Sequence, residues 1–255
     1  MFSIEIINYG VQSVPGPQVY YQSGWDEWVS FNFYFYLLRG EGVTGLIDCG
    51  MDDPDPLNRA IVGSLGQRGE VKTLAPGKLM MELLSRHGVS VEEIDFVAIT
   101  HLHADHVSNA RQFPNARFLI SQQGWERFHI LQNRQPKMVA DPSFPRSVIE
   151  AFENDLKGRL DVVPDGLTEY GIGIKHIGGH TAESTAFTVT TDSGEVVIPG
   201  DTVWTYRNLE ENIPVGSCID LFECYQAMDW VRNSGDIVLP SHDPLVLERY
   251  PNCIL

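Results

Sequence analysis

Between Thr100 and His106 the chain reads Thr-His-Leu-His-Ala-Asp-His, placing three imidazoles and a carboxylate within one turn-sized stretch. Imidazole nitrogens and carboxylate oxygens are the donors that hold zinc, manganese, iron or cobalt. Residues two apart on an extended segment point the same way, so His101 and His103 can grip one ion. The turn that follows swings Asp105 and His106 toward a neighbouring position, and two adjacent metal sites are the natural reading. Further donors recur in similar settings: His180 in Gly178-Gly179-His180-Thr181, Asp201 after Val196-Val197-Ile198-Pro199-Gly200, and His242 after Ile237-Val238-Leu239-Pro240-Ser241. A lone histidine is more often a core or surface residue than a ligand. His87, before Gly88, reads as a helix end, and His129 and His176 as surface or packing residues.

Each of these donors must be carried by the end of an apolar strand and set by a Gly or Pro turn. Asp95–Thr100 is apolar and β-branched and reads as a buried strand. Ala104–Gln112 reads as a helix stopped by Pro114. Other strands are expected at Ile4–Ile7, within the aromatic block Phe31–Tyr36, and at 43–48, 116–120, 160–163, 172–177, 185–191 and 195–199. Asp192-Ser193-Gly194 marks a hairpin turn. Helices are expected from Pro76 to His87, with Leu79, Met80, Leu83 and Leu84 on the apolar face, and at 122–132, 147–156 and 220–232. Asp52–Gly77 reads as loop, as does 133–145, a surface excursion near the site entrance. In the aromatic block, odd members face one core and even members pack elsewhere. The alternative reading of that block is that Trp25 and Trp28, on a loop, wall an apolar substrate pocket or a homodimer contact.

The chain has 255 residues, enough to bury a core, and we expect one domain over 1–255. Hydrophobic content of 43% and charged content of 20% are those of a soluble globular protein. The formal net charge of −16, from 18 basic and 34 acidic residues, opposes nucleic acid, anionic membrane and strongly anionic substrates. No export signal or membrane-spanning run is visible, and Cys49, Cys218, Cys224 and Cys253 form no CxxC pair, so a cytoplasmic location with reduced thiols is expected. Interleaved helices and strands suggest helical layers outside two packed sheets, an α/β class.

The pattern His-x-His-x-Asp-His, Gly-His-Thr, Gly-Asp and Ser-His resembles the metallo-β-lactamase superfamily. The likeness runs from Leu46-Ile47-Asp48-Cys49-Gly50 to His242-Asp243. Within it the chain is most similar to N-acyl homoserine lactonases, through Asp201 onward to Asn212-Ile213-Pro214 and the ending Ser241-His242-Asp243 with Tyr250-Pro251. The resemblance implies a four-layer αββα sandwich with metals at one edge. One ion would take His101, His103 and His180, the other Asp105, His106 and His242, with Asp201 bridging and Asp48 supporting a histidine. Two divalent ions, zinc first and manganese, iron or cobalt as alternatives, would sit about 3.5–4 Å apart, holding a hydroxide that attacks an ester-like carbonyl. Asp105 would also shuttle the proton. Lactonases carry a tyrosine three residues past the bridging aspartate; here Trp204 stands there and Tyr206 is the nearest phenol, so either takes that place. The implied activity is opening of a neutral lactone or related cyclic acyl substrate. The alternatives are a glyoxalase II-like thioester hydrolase and a mononuclear iron sulfur dioxygenase. A metal-binding scaffold without activity is the non-enzymatic class.

Overall fold

A computed structural model describes residues 1–40, 42–73, 79–252 and 254–255. Strands β1 (Phe2–Pro15), β2 (Trp28–Gly40), β3 (Val43–Ile47), β4 (Lys72–Thr73), β5 (Phe96–Ala98), β6 (Arg117–Ser121) and β7 (Leu160–Val163) form a mixed sheet in the order β4-β1-β2-β3-β5-β6-β7. A second sheet, ordered β12-β11-β10-β9-β8, contains β8 (Gly166–Leu167), β9 (Gly173–His176), β10 (Thr185–Thr191), β11 (Gly194–Ile198) and β12 (Ile237–Val238). The helices are α1 (Gly16–Val19), α2 (Asp55–Leu65), α3 (Leu79–Arg86), α4 (Ala104–Val107), α5 (Gln122–Arg134), α6 (Arg146–Glu153), α7 (Tyr206–Glu210), α8 (Leu221–Asn233) and α9 (Leu245–Arg249).

Alternation along β2 shows how the layers are glued. Phe33, Phe35 and Leu37 point to one cluster, shared with Met80, Leu83 and Leu84 of α3, Phe128 of α5 and Phe152 of α6. Tyr34, Tyr36 and Leu38 point the other way, between the sheets, against Ile174, Phe187 and Ile198. On the outer face of the second sheet, Val197 meets Met228 and Val231 of α8. The order is therefore helix, sheet, sheet, helix, as the sequence pattern implies. Helix starts follow side-chain chemistry: Ser121 caps α5 by accepting from the Gly124 amide, and Asp220 caps α8 by accepting from that of Glu223.

Gly45 shows how tightly the inter-sheet layer is filled. It pairs with Phe96 across β3 and β5, and a Cβ on it would lie 2.2 Å from the Phe96 ring. Gly45→Ala should cost about 1–3 kcal/mol through overpacking, lowering Tm by several degrees. Gly63→Ala, on α2 with open space around it, should leave Tm unchanged or raise it slightly. Thermal unfolding of the two variants checks this, and equal Tm values would contradict the packing.

Three expectations need correction. The 52–77 stretch is not all loop: Asp55–Leu65 forms α2, because Pro56 falls in the first turn, where a missing amide is tolerated. β1 runs to Pro15, well past Ile7, because its polar residues pair along β2 to Trp28. The helix expected over 104–112 breaks into α4 and a 3-10 turn at Ala110–Gln112, with the Asn109 side chain accepting from the Asp52 amide between them. The hairpin at Asp192–Ser193 forms as read, with Thr191 facing Gly194. Pro76 and Gly77, at the expected start of the third helix, and Cys253 lie outside the described residues; Cys49, Cys218 and Cys224 are free thiols. No described helix is long and apolar enough to cross a membrane.

Candidate metal centre

Both sheets contribute to one edge. β3 and β5 are parallel, and β9, β11 and β12 run in a common direction, so the chain leaves all five at equivalent ends. Asp48 follows β3, His101 to His106 follow β5, His180 follows β9, Asp201 follows β11 and His242 follows β12. Glycine makes the turn before His180 possible: Gly179 has φ of 86°, and a Cβ there would meet the Cys224 sulfur at 2.8 Å.

The donors gather into two groups. In the first, His101, His103, His180 and Asp201 bring one ligand atom each within 4.8 Å of the others. In the second, Asp105, His106, Asp201 and His242 do the same. Asp201 belongs to both, and its two oxygens divide between them. Oδ2 lies 3.7 Å from His101 Nε2 and 3.5 Å from His180 Nε2. Oδ1 lies 3.2 Å from His106 Nε2 and 3.1 Å from His242 Nε2.

Hydrogen bonds behind the rings decide which nitrogen faces inward. His180 Nδ1 donates to the Ser217 carbonyl at 2.5 Å and His242 Nδ1 to that of Asn32 at 3.0 Å. A carbonyl only accepts, so each Nδ1 carries the proton and each Nε2 presents a lone pair to the centre. His106 Nδ1 donates to Asp48 Oδ2 at 2.7 Å. The Thr100 hydroxyl donates to the same oxygen, which leaves its own oxygen to accept from His101 Nδ1 at 3.1 Å. Asp48 is held in a left-handed conformation, φ 59°, a strained geometry that these bonds over-determine.

Burial holds His101, His103 and His180 below the usual imidazole range, His103 at about 3, so all three are neutral bases. Burial alone would raise the Asp201 carboxyl, but His242, His106 and His101 around it hold it well below the carboxylate range. His106 is pulled the other way: burial opposes its charge, and Asp105, Asp201 and Asp48 outweigh that and raise it. His106 Nε2 and Asp201 Oδ1 are buried with no hydrogen-bond partner. The neutral imidazoles of His101, His103 and His180 and the ionised Asp201 carboxylate are donors of the kind that hold divalent cations, and a cation would take the place of the His106 proton.

One family pattern covers the chain from within β2 to the last histidine: residues 34–242 match the metallo-beta-lactamase superfamily. The chain belongs to that superfamily. Curated relatives include an N-acyl homoserine lactonase of Bacillus thuringiensis, 22% identical over 223 residues, 86% of this chain and 82% of that one. Another is a probable metallo-hydrolase of Methanocaldococcus jannaschii, 26% identical, covering 64% of this chain and 76% of that one. Among solved structures, an N-acyl homoserine lactone hydrolase with N-hexanoyl-L-homoserine at its catalytic metal centre superposes with a TM-score of 0.76 at 16% identity, covering 98% of this chain and 96% of that chain. A dizinc quorum-quenching lactonase superposes at 0.64 and 16% identity, covering 95% and 88%. At these identities the superpositions show the superfamily's fold.

A cleft of about 230 Å³ opens over the donors. Phe31 stacks on His242 at 4.7 Å, and Phe33 meets the same ring edge-on at 5.1 Å. Leu57, Ile61 and Leu65 of α2 form another wall, and Gln12, Gln18, Ser64, Ser143 and Ser217 add polar groups. Trp204 lies in the lining, its ring edge-on to His180 and His242, with its indole N–H buried and unpartnered. Tyr206 is not brought there. Thr205 caps α7, so the chain turns and the Tyr206 ring enters the inter-sheet cluster, with Arg249 3.5 Å over it. Trp25 and Trp28 do not wall the cleft either: Trp25 is 73% exposed and Trp28 lies under Arg68.

His87 bonds Glu5, His129 packs on Trp125, and His176 donates to the Ala182 carbonyl, all apart from the centre. Sequence reading missed Tyr9, whose hydroxyl donates to the Asp105 carbonyl at 2.5 Å, and the α2 wall. The 57, 61, 65 spacing of apolar residues was the available signal for that wall.

Proposed function

We propose that the protein is a dinuclear metal-dependent hydrolase that opens a neutral lactone or related cyclic acyl substrate. The observation that carries this reading is the division of Asp201 between the two donor groups, Oδ2 toward one and Oδ1 toward the other. In this reading His101, His103 and His180 hold one ion, Asp105, His106 and His242 the second, and Asp201 bridges them. Zinc suits the donors first, and manganese, iron and cobalt suit them too. When bound, such a pair supplies a strong nucleophile from water at neutral pH and polarises a carbonyl.

The chain's own residues do the rest. Phe31, Phe33, Leu57 and Ile61 exclude water and hold an apolar substituent, which strengthens every electrostatic interaction on the floor. Asp105 lines the cleft and is 14% exposed at its side chain, so it can take the proton of the attacking water and return it to the alkoxide leaving group. Trp204 fixes the His180 and His242 rings by edge contact. No Lys or Arg is among the described residues that line the cleft, which supports a neutral substrate over an anionic thiol conjugate or a phosphate ester. The relatives named as lactonases support the substrate class.

The test is kcat/KM for a panel of lactones against a glutathione thioester and a phosphodiester on one metal-loaded preparation. The best lactone should lead by more than about tenfold, ~1.4 kcal/mol of transition-state discrimination. A thioester leading by that margin would replace this reading with a glyoxalase II-like one.

A further inference from the structure

We propose that Glu183 is a positioning residue that grips the His101-Leu102-His103 turn from inside the core. The proposal rests on the metal reading of those histidines.

Glu183 is 1% exposed, and Oε1 accepts from the Leu102 amide at 3.1 Å. Leu102 lies between the two histidines, where the chain has left β5 and not yet entered α4, so its buried amide has no ladder or helix carbonyl to meet. Two residues on, the Thr185 amide donates to the Thr100 carbonyl at 2.9 Å. Segment 183–185 therefore holds segment 100–102 at two points, one on each side of His101. The grip is itself backed. The Thr185 hydroxyl donates to the Glu183 carbonyl at 2.8 Å, and α5 presses on it through Gly124, where a Cβ would come within 2.8 Å of that carbonyl oxygen.

A carboxyl is a costly way to fill this space. Burial pushes Glu183 up to about 7, and an apolar residue of similar volume would pack there without that cost. What only an oxygen acceptor supplies is a fixed Leu102 amide, and with it the His101–His103 spacing that two donors to one ion must keep.

Glu183→Gln keeps an oxygen acceptor, whereas Glu183→Met removes it at similar volume. In competition with a chromophoric zinc chelator, Glu183→Met should release zinc at 10–100-fold lower chelator strength, the range expected for residues supporting metal ligands. Glu183→Gln should stay within about threefold of wild type. Amide hydrogen exchange on the metal-free proteins should show Leu102 protected in wild type and Glu183→Gln and fast in Glu183→Met. Equal zinc retention in wild type and Glu183→Met, or equal loss in both variants, overturns the proposal. If Glu183→Met does not fold, an unprotected Leu102 in wild type overturns it and protection in wild type and Glu183→Gln supports it. A wild type that takes up no zinc sinks the metal reading instead, and the exchange data still judge the grip.

Discussion

Asp201→Asn should fold normally and lose turnover by about three orders of magnitude, with metal content falling in parallel. The reason is geometric and electrostatic. Asp201 faces His101 and His180 with one oxygen and His106 and His242 with the other. An amide keeps the shape but turns one of those oxygens into a donor, aimed at nitrogens that already present lone pairs, and removes the charge that lets two cations lie close. Steady-state kinetics and elemental analysis on the same preparation check it. Near-normal turnover with unchanged metal would mean that the bridge is assigned to the wrong residue.

Asp48→Asn should weaken one metal equivalent by 10–100-fold and affect the other less. Asp48 accepts from His106 Nδ1, the Thr100 amide and the Thr100 hydroxyl. Asparagine has one acceptor oxygen for those three donors. With an N–H facing His106, the ring changes tautomer and turns a protonated Nε2 toward Asp201, which removes a ligand from the second group. The first group keeps His103 and His180, whose bonds do not involve Asp48. Titration of the metal-free variant should show two separated binding steps, and two steps equal to wild type would contradict this role.

The donor set was readable in the sequence because each member follows an apolar strand directly, and strand ends on one edge of a two-sheet fold converge. Val97 and Ile99, Val196 to Ile198, and Ile237 to Leu239 mark those strands by composition alone. The cleft walls were harder. Phe31 and Phe33 lie in an aromatic-rich run interrupted only by Asn32, where sequence shows alternation but not which end meets the site. Helix α2 was masked by Pro54, Pro56, Gly63 and Gly66, although prolines at a helix start favour the helix. Tyr206 looked like a cleft residue because it stands two past Trp204; the capping turn at Thr205 sends it between the sheets. Glu183 carried no pattern at all, since its partner is a backbone amide far away in sequence.

The measurement closest to the central claim is the metal content of protein purified without chelator, read beside its activity. Two equivalents of transition metal per chain should be found, and removing them should abolish lactone opening, with activity returning on reloading. One equivalent at full activity, or activity that survives complete removal, would contradict a dinuclear centre shared through Asp201.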